Sequence, residues 1–163
     1  MTLRRGPRVV SAMTNSSSDV VGAAYHEAGH VLVALHYGLD VGLIVVPENG
    51  DGGSNISRTE HLPLLDRMTV CMGGGAAQQH FQAPATDHAM MADYVMVYNL
   101  TPKMTDEERE AAIEKAFVRA CSIIAQNAGE VARLAKILIT RRSIKLDEVE
   151  PPVKPKPANG DSI

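Results

Sequence analysis

A mainly helical, one-domain fold with a small β element is predicted by three observations on this sequence. Apolar residues recur at helical spacing through five segments, most clearly at Val131, Leu134, Ala135 and Leu138. One short β-branched apolar run, Val41 to Val46, has the length and composition of a strand. The 163 residues are 45% hydrophobic and 21% charged, the size and balance of a single globular domain with a buried core.

Residues 1–18 read as a flexible leader ending in Asn15-Ser16-Ser17-Ser18. With Asp19, that run offers N-caps for a first helix over about residues 19–37, and Gly38 stands where a helix stop belongs. Val41 to Val46 follows as a strand that Pro47 ends. The Gly-, Asn- and Asp-rich stretch from Glu48 to Ser57 is a loop, with room for a short second strand near Ser54 to Ser57. A second helix is expected over about 63–81. It carries three consecutive glycines, Gly73 to Gly75, each costing about 1 kcal/mol relative to alanine. That cost demands a close neighbouring backbone or a local break. A turn around Pro84 leads to Thr86, an N-cap for a third helix over about 87–99. Thr105 and Glu108 form a capping box for a fourth over about 106–127. A fifth spans about 129–141. The domain proper is residues 19–150, and the proline-rich stretch 151–163 is expected to be disordered.

Composition excludes several function classes. A net charge of -3 and only 4% aromatics, without Trp, leave neither the basic face nor the stacking platform of a nucleic-acid binder. Met1 to Arg8 has no apolar stretch of signal-peptide length. The longest apolar run, Val31 to Val46, is broken at His36, Gly38 and Asp40 and falls short of the roughly 20 residues a membrane span needs. Cys71 and Cys121 each sit in an apolar helical pattern and read as core thiols, which fits a reducing, cytoplasmic setting. The eight methionines read as core filler, and His36, His61, His80 and His88 as surface or packing residues.

The chemistry is concentrated in His26-Glu27-Ala28-Gly29-His30. Helix positions i and i+4 share a face, so both imidazoles can point at one ion, whereas Glu27 is offset by about 100°. That is the logic of HExxH: two zinc ligands and a general base within five residues. Ala24, Ala28, Val31, Leu32, Val33 and Leu35 surround the motif with apolar side chains, so the helix is expected to be buried. A bound cation would satisfy polar groups that are costly to desolvate there. A third protein ligand is required, and spacing alone leaves Asp87, His88, His80, Asp93, Glu48 and Asp51 open, with Asp87 favoured because it opens a helix just after the Pro84 turn.

From Ala24 to His30 the sequence resembles the motif of the FtsH-type zinc peptidases, the protease domain of membrane-bound ATP-dependent proteases. Leu65 to Ala77 is similar to that family's "LLDRIAVLLGGRAAEE" helix, Ala85-Thr86-Asp87 to its "ASND" segment, and Asn127 to Leu138 to its closing helix. The resemblance runs in order over about residues 20–150. It implies a helical bundle with a small β element and Asp87 as third zinc ligand beside His26 and His30. It further implies Glu27 as general base and self-association, because the family works as a hexameric ring. The sequence departs from the family in having no Walker A pattern, in carrying Gln78 and Gln79 where acidic residues are usual, and in a short 47–60 loop without the family's substrate-edge strand.

These readings converge on a zinc-dependent endopeptidase for unstructured polypeptides, with a polypeptide substrate, a possible homo-oligomer and a possible separate ATPase or unfoldase partner. The competing readings are a non-catalytic zinc-stabilised binding or regulatory module and a metal-free interaction protein.

Overall fold

The computed structural model describes residues 11–50 and 52–156, with side chains from residue 18 onward. Five α-helices alternate with a small sheet in the order α1 (Ser11–His36), β1 (Val41–Val45), β2 (Gly53–Ile56), α2 (Leu64–Phe81), α3 (Asp87–Leu100), α4 (Asp106–Gln126), α5 (Ala128–Arg141), β3 (Ser143–Lys145) and a 3-10 turn, Leu146–Glu148. The fold is mainly helical with a small antiparallel sheet, as expected.

α1 is the central element. Ala24, Ala28, Val31, Leu32, Val33 and Ala34 are all fully buried, and the helix packs against α2, α4 and α5. It begins at Ser11, so residues 11–18 belong to the helix rather than to a leader, and Asp19 lies inside it instead of capping it. Extending an existing helix gains a hydrogen bond per residue without a new nucleus, which outweighs the weak propensity of the Ser-Asn run. Residues 1–10, the rest of the expected leader, lie outside the described residues. At the other end Gly38 takes φ +72°. Its N–H donates to the Leu35 carbonyl and the Leu39 N–H to the Ala34 carbonyl, a Schellman stop built on glycine's access to positive φ.

The caps read from sequence are present. Thr86 accepts from the Ala89 N–H, and Thr105 and Glu108 complete both halves of a capping box. The sheet has the order β2-β1-β3, antiparallel throughout, with Ile44 opposite both Ser54 and Ile144. Ile44 and Ile144 bury the inner face against the helices.

β3 and the 3-10 turn were not expected. Three residues with serine and lysine flanking a single isoleucine carry too little periodicity to register as a strand. The tail expected to be disordered from Pro151 is instead ordered as far as residue 156. Val153 packs on the core, and the Lys156 N–H donates to Asn127 Oδ1 at 2.7 Å, at the α4–α5 junction. Residues 157–163 lie outside the described residues. The methionines divide: Met68 and Met72 are core, whereas Met90, Met91 and Met96 are exposed on α3. None of the helices among the described residues is long and apolar enough to cross a membrane.

Candidate metal centre

α1 and α2 cross antiparallel, His26 lying against Gly74 and Gln78 and His30 against Val70. The glycine run explains itself here. A Cβ on Gly29 would collide with the Gly73 carbonyl and Ala77, and one on Gly73 would sit 2.9 Å from the Gly29 carbonyl oxygen. A Cβ on Gly74 would enter the His26 ring. Helix α2 is unbroken, so the reason is close approach: of the α1 backbone at Gly73 and of the His26 ring at Gly74. Gly75 meets only Phe117, at ordinary contact distance, and its glycine is not required by packing.

Both imidazoles are oriented through Nδ1. His30 Nδ1 donates to the Val70 carbonyl at 2.9 Å, and His26 Nδ1 lies 3.2 Å from Gln78 Oε1. Gln78 is itself fixed, its Nε2 donating to the carbonyls of Gly22 (3.2 Å) and Pro84 (3.0 Å). A glutamine here can accept from the imidazole with one end and donate to backbone with the other, a double role open to no carboxylate. Gln79, by contrast, is exposed.

With the Nδ1 positions occupied, the two Nε2 atoms converge 3.0 Å apart. The third group is Asp93. Its Oδ1 is 3.2 Å from His30 Nε2 and its Oδ2 3.5 Å from His26 Nε2. Asp93, 5% exposed, completes the only cluster of potential metal donors among the described residues. Asp87 is not in it. Asp87 is the first residue of α3 and exposed, whereas the inward face of that helix is Asp93 with Val97, one turn on. Six residues of helix rotate the chain by about 600°, so Asp87 and Asp93 point in different directions. Of the candidates that spacing had left open, it is thus Asp93 and not the favoured Asp87 that lies with the two histidines. His80, His88 and Glu48 are exposed and outside the cluster, and Asp51 lies outside the described residues. A signal for Asp93 was present in the sequence. It is the only charged residue beyond the first turn of an otherwise apolar helix, an expensive placement without a partner.

The donors fit a small tetrahedral cation. Ligand bonds of about 2.0–2.1 Å at tetrahedral angles put donors roughly 3.3–3.4 Å apart. The two Nε2 atoms are 3.0 Å apart, and each has an Asp93 oxygen near that spacing, Oδ1 at 3.2 Å from His30 and Oδ2 at 3.5 Å from His26. The electrostatics agree. Burial disfavours the charged His30 imidazolium, but the Asp93 carboxylate, helped by Glu27 and the Val70 carbonyl, outweighs it and raises the pKa to about 9. Asp93, though buried, is held below the usual carboxylate range by the two histidines. A pocket that holds a proton this firmly favours positive charge, and a metal ion competes for the same nitrogens.

Glu27 stands beside the cluster but outside it. It is buried, and the Ser54 hydroxyl of β2 donates to its Oε2 at 2.5 Å. Both residues line a cleft of about 610 Å³ with the donors on its floor, β2 along one wall and α3 along the other. Cys71 also lines it, but burial and the nearby Asp93 push that thiol up to about 11, leaving it a packing residue. Both cysteines are free. A scan against protein-family models finds none that matches this chain.

Proposed function

We propose that this chain is a zinc-dependent endopeptidase of the FtsH type, hydrolysing peptide bonds in unstructured polypeptides. The observation that carries the reading is the division of labour at the cleft floor: three convergent donors, with a buried carboxylate adjacent to them and held apart from them. A purely structural metal site has no use for that fourth group. Both histidines keep their Nδ1 hydrogens on protein acceptors, which leaves Nε2 for the ion.

His26, His30 and Asp93 would hold the zinc. The chemistry supplied there by zinc is polarisation of an acyl oxygen and acidification of water to near neutral pH. Glu27 accepts a proton from the water that adds to the scissile carbonyl. It returns that proton to the amine nitrogen as the C–N bond breaks. The Ser54 hydroxyl fixes the carboxylate by binding Oε2, so that Oε1 carries the proton. β2 lines the cleft and, in a sheet of order β2-β1-β3, has one edge unpaired among the described residues. An extended peptide can add to that edge, the role for which the short 47–60 loop had offered no recognisable sequence. Binding in extended form favours substrates that are already unstructured, and folded ones would need an unfolding partner. A second copy of the chain and a cytoplasmic setting belong to the same proposal, the latter supported by two free thiols.

The test is the Glu27→Gln variant. It should bind zinc as the parent does and lose at least about 100-fold in casein or fluorogenic-peptide cleavage, the share of a general base. Undiminished cleavage would refute the role of Glu27. Zinc without cleavage in the parent points to the binding-module reading, and neither zinc nor cleavage to a metal-free interaction protein.

A further inference from the structure

The cleft has a direction. α1 runs from Gly22 past His26 and His30. α3 starts beside Gly22, near Pro84, and reaches the histidines at Asp93. β2 follows the same course, with Gly50 beside Asp19, Ser54 on Glu27, and the Ser57 N–H on the Asp40 carbonyl. α2 is antiparallel to all three. The far end of the cleft, beyond His30, therefore brings together Ser57, Thr59, Asn99 and Arg67, all of them lining residues.

Arg67 is the only lysine or arginine lining the cleft among the described residues. Its Nε is fully buried without an acceptor. Buried donors are rarely left so. The carboxylates that might neutralise it are engaged elsewhere: Asp66 pairs with Arg119, Glu27 accepts from Ser54, and Asp93 faces the two histidines. The Nε donor is thus unmatched among the described residues, at the end of a cleft whose acidic lining groups, Glu27 and Asp93, sit at the catalytic end. A guanidinium in a half-enclosed site selects planar carboxylates through paired N–H donors.

We propose that Arg67 anchors a carboxylate of the substrate and thereby sets the position of cleavage. Arg67 is three residues from Val70, whose carbonyl holds His30, so its backbone lies about 4.5 Å further along α2. Adding the reach of the side chain, and taking about 3.3–3.6 Å per extended residue, the carboxylate falls about one to three residues from the scissile bond. It belongs either to an acidic side chain or to the free C-terminus. The inference rests on the peptidase reading for its biological meaning, but the anchor itself is measurable without turnover.

The test is isothermal titration of the zinc-loaded full chain carrying Glu27→Gln. Three probes are used: acetylated trialanine with a free carboxylate, the same peptide amidated, and the amidated peptide with glutamate in the middle position. At least one carboxylate probe should bind about 10-fold or more tighter than the plain amide, and which one does identifies the source of the carboxylate. Adding R67Q should erase that preference, and R67K should keep part of it. Equal binding of all three probes overturns the proposal without any Arg67 variant, so a misfolded R67Q leaves it decidable. A preference that survives R67Q overturns it as well, since the ion would then be the anchor. Cleavage of casein by the chain with Glu27 intact is scored separately. Its absence would remove the peptidase reading while the titration still decides the anchor.

Discussion

The α1–α2 crossing and helix α3 both supply donors to the same centre, yet they are built on opposite principles. At the crossing, Gly29 and Gly73 bring two backbones into contact, and every side chain from Met68 to Met72 is buried. α3 buries only Asp93 and Val97. Met91 and Val95 are 63% and 52% exposed, and Tyr98, 52% exposed, carries the Arg109 guanidinium over its ring, 4.2 Å from the centroid. Two of the potential donors and their orienting groups thus sit on a rigid frame, and the third is on a helix held by a narrow stripe. Such a division places the histidines by packing and leaves the closing carboxylate to how one helix docks.

If the crossing is the rigid half, it should be the most fragile to small additions. Gly29→Ala forces a Cβ into the Gly73 carbonyl, which has no side chain to move aside, and should cost about 3 kcal/mol or more in chemical denaturation. Gly75→Ala, two residues from Gly73, meets only Phe117 at ordinary contact distance and should be neutral or stabilise by up to about 1 kcal/mol. Equal effects at the two positions would dissolve the contrast.

The joint between the two halves is the pairing of His30 with Asp93, and it can be read by pH in metal-free protein. His30 is raised from 6.5 to about 9 in the folded state. Its contribution is therefore fully present below the unfolded value and lost as pH rises through about 9. A fall on the order of 2–3 kcal/mol between pH 6.5 and 9.5 is expected, and Asp93→Asn should flatten it. The lowered Asp93 works at the other extreme, its contribution being lost as pH falls through its folded value. Thermal melts at fixed ionic strength, with chelator present, test both.

On the rigid half, Gln78→Ala removes the acceptor of His26 while leaving all three potential donors in the sequence. Zinc affinity should drop about 10- to 100-fold by competition with a chromogenic chelator. The smallest effect is expected where α2 ends. Gln82 holds φ +52° there, a left-handed conformation with a penalty for any side chain, so Gln82→Gly should stabilise by about 0.5–1 kcal/mol.

The same contrast explains what the sequence disclosed. His26, Glu27 and His30 were legible because their geometry is fixed within one turn of one helix. The glycine run signalled a close approach for the same local reason, and the caps at Thr86 and Thr105 are one-residue signals. That Asp93 rather than Asp87 joins the histidines was only faintly legible, because whether residue 87 or 93 faces inward depends on the rotation of α3 about its axis. That rotation is set by Val97 and the docking against α2, and helix-opening position alone misleads. Gln78 was noticed only as a departure from an acidic pattern. Its role requires knowing that Gly22 and Pro84 converge on it from 56 residues before and 6 after. The ordered stretch 151–156 was hidden likewise, being held by Asn127, distant in sequence.

The central claim is tested most directly by zinc stoichiometry of the purified chain and its Asp87→Ala and Asp93→Ala variants, measured by elemental analysis after dialysis. The His26–His30–Asp93 trio predicts about one zinc per chain in the parent and in Asp87→Ala, and loss of it in Asp93→Ala. Zinc retained by Asp93→Ala but lost by Asp87→Ala would contradict it.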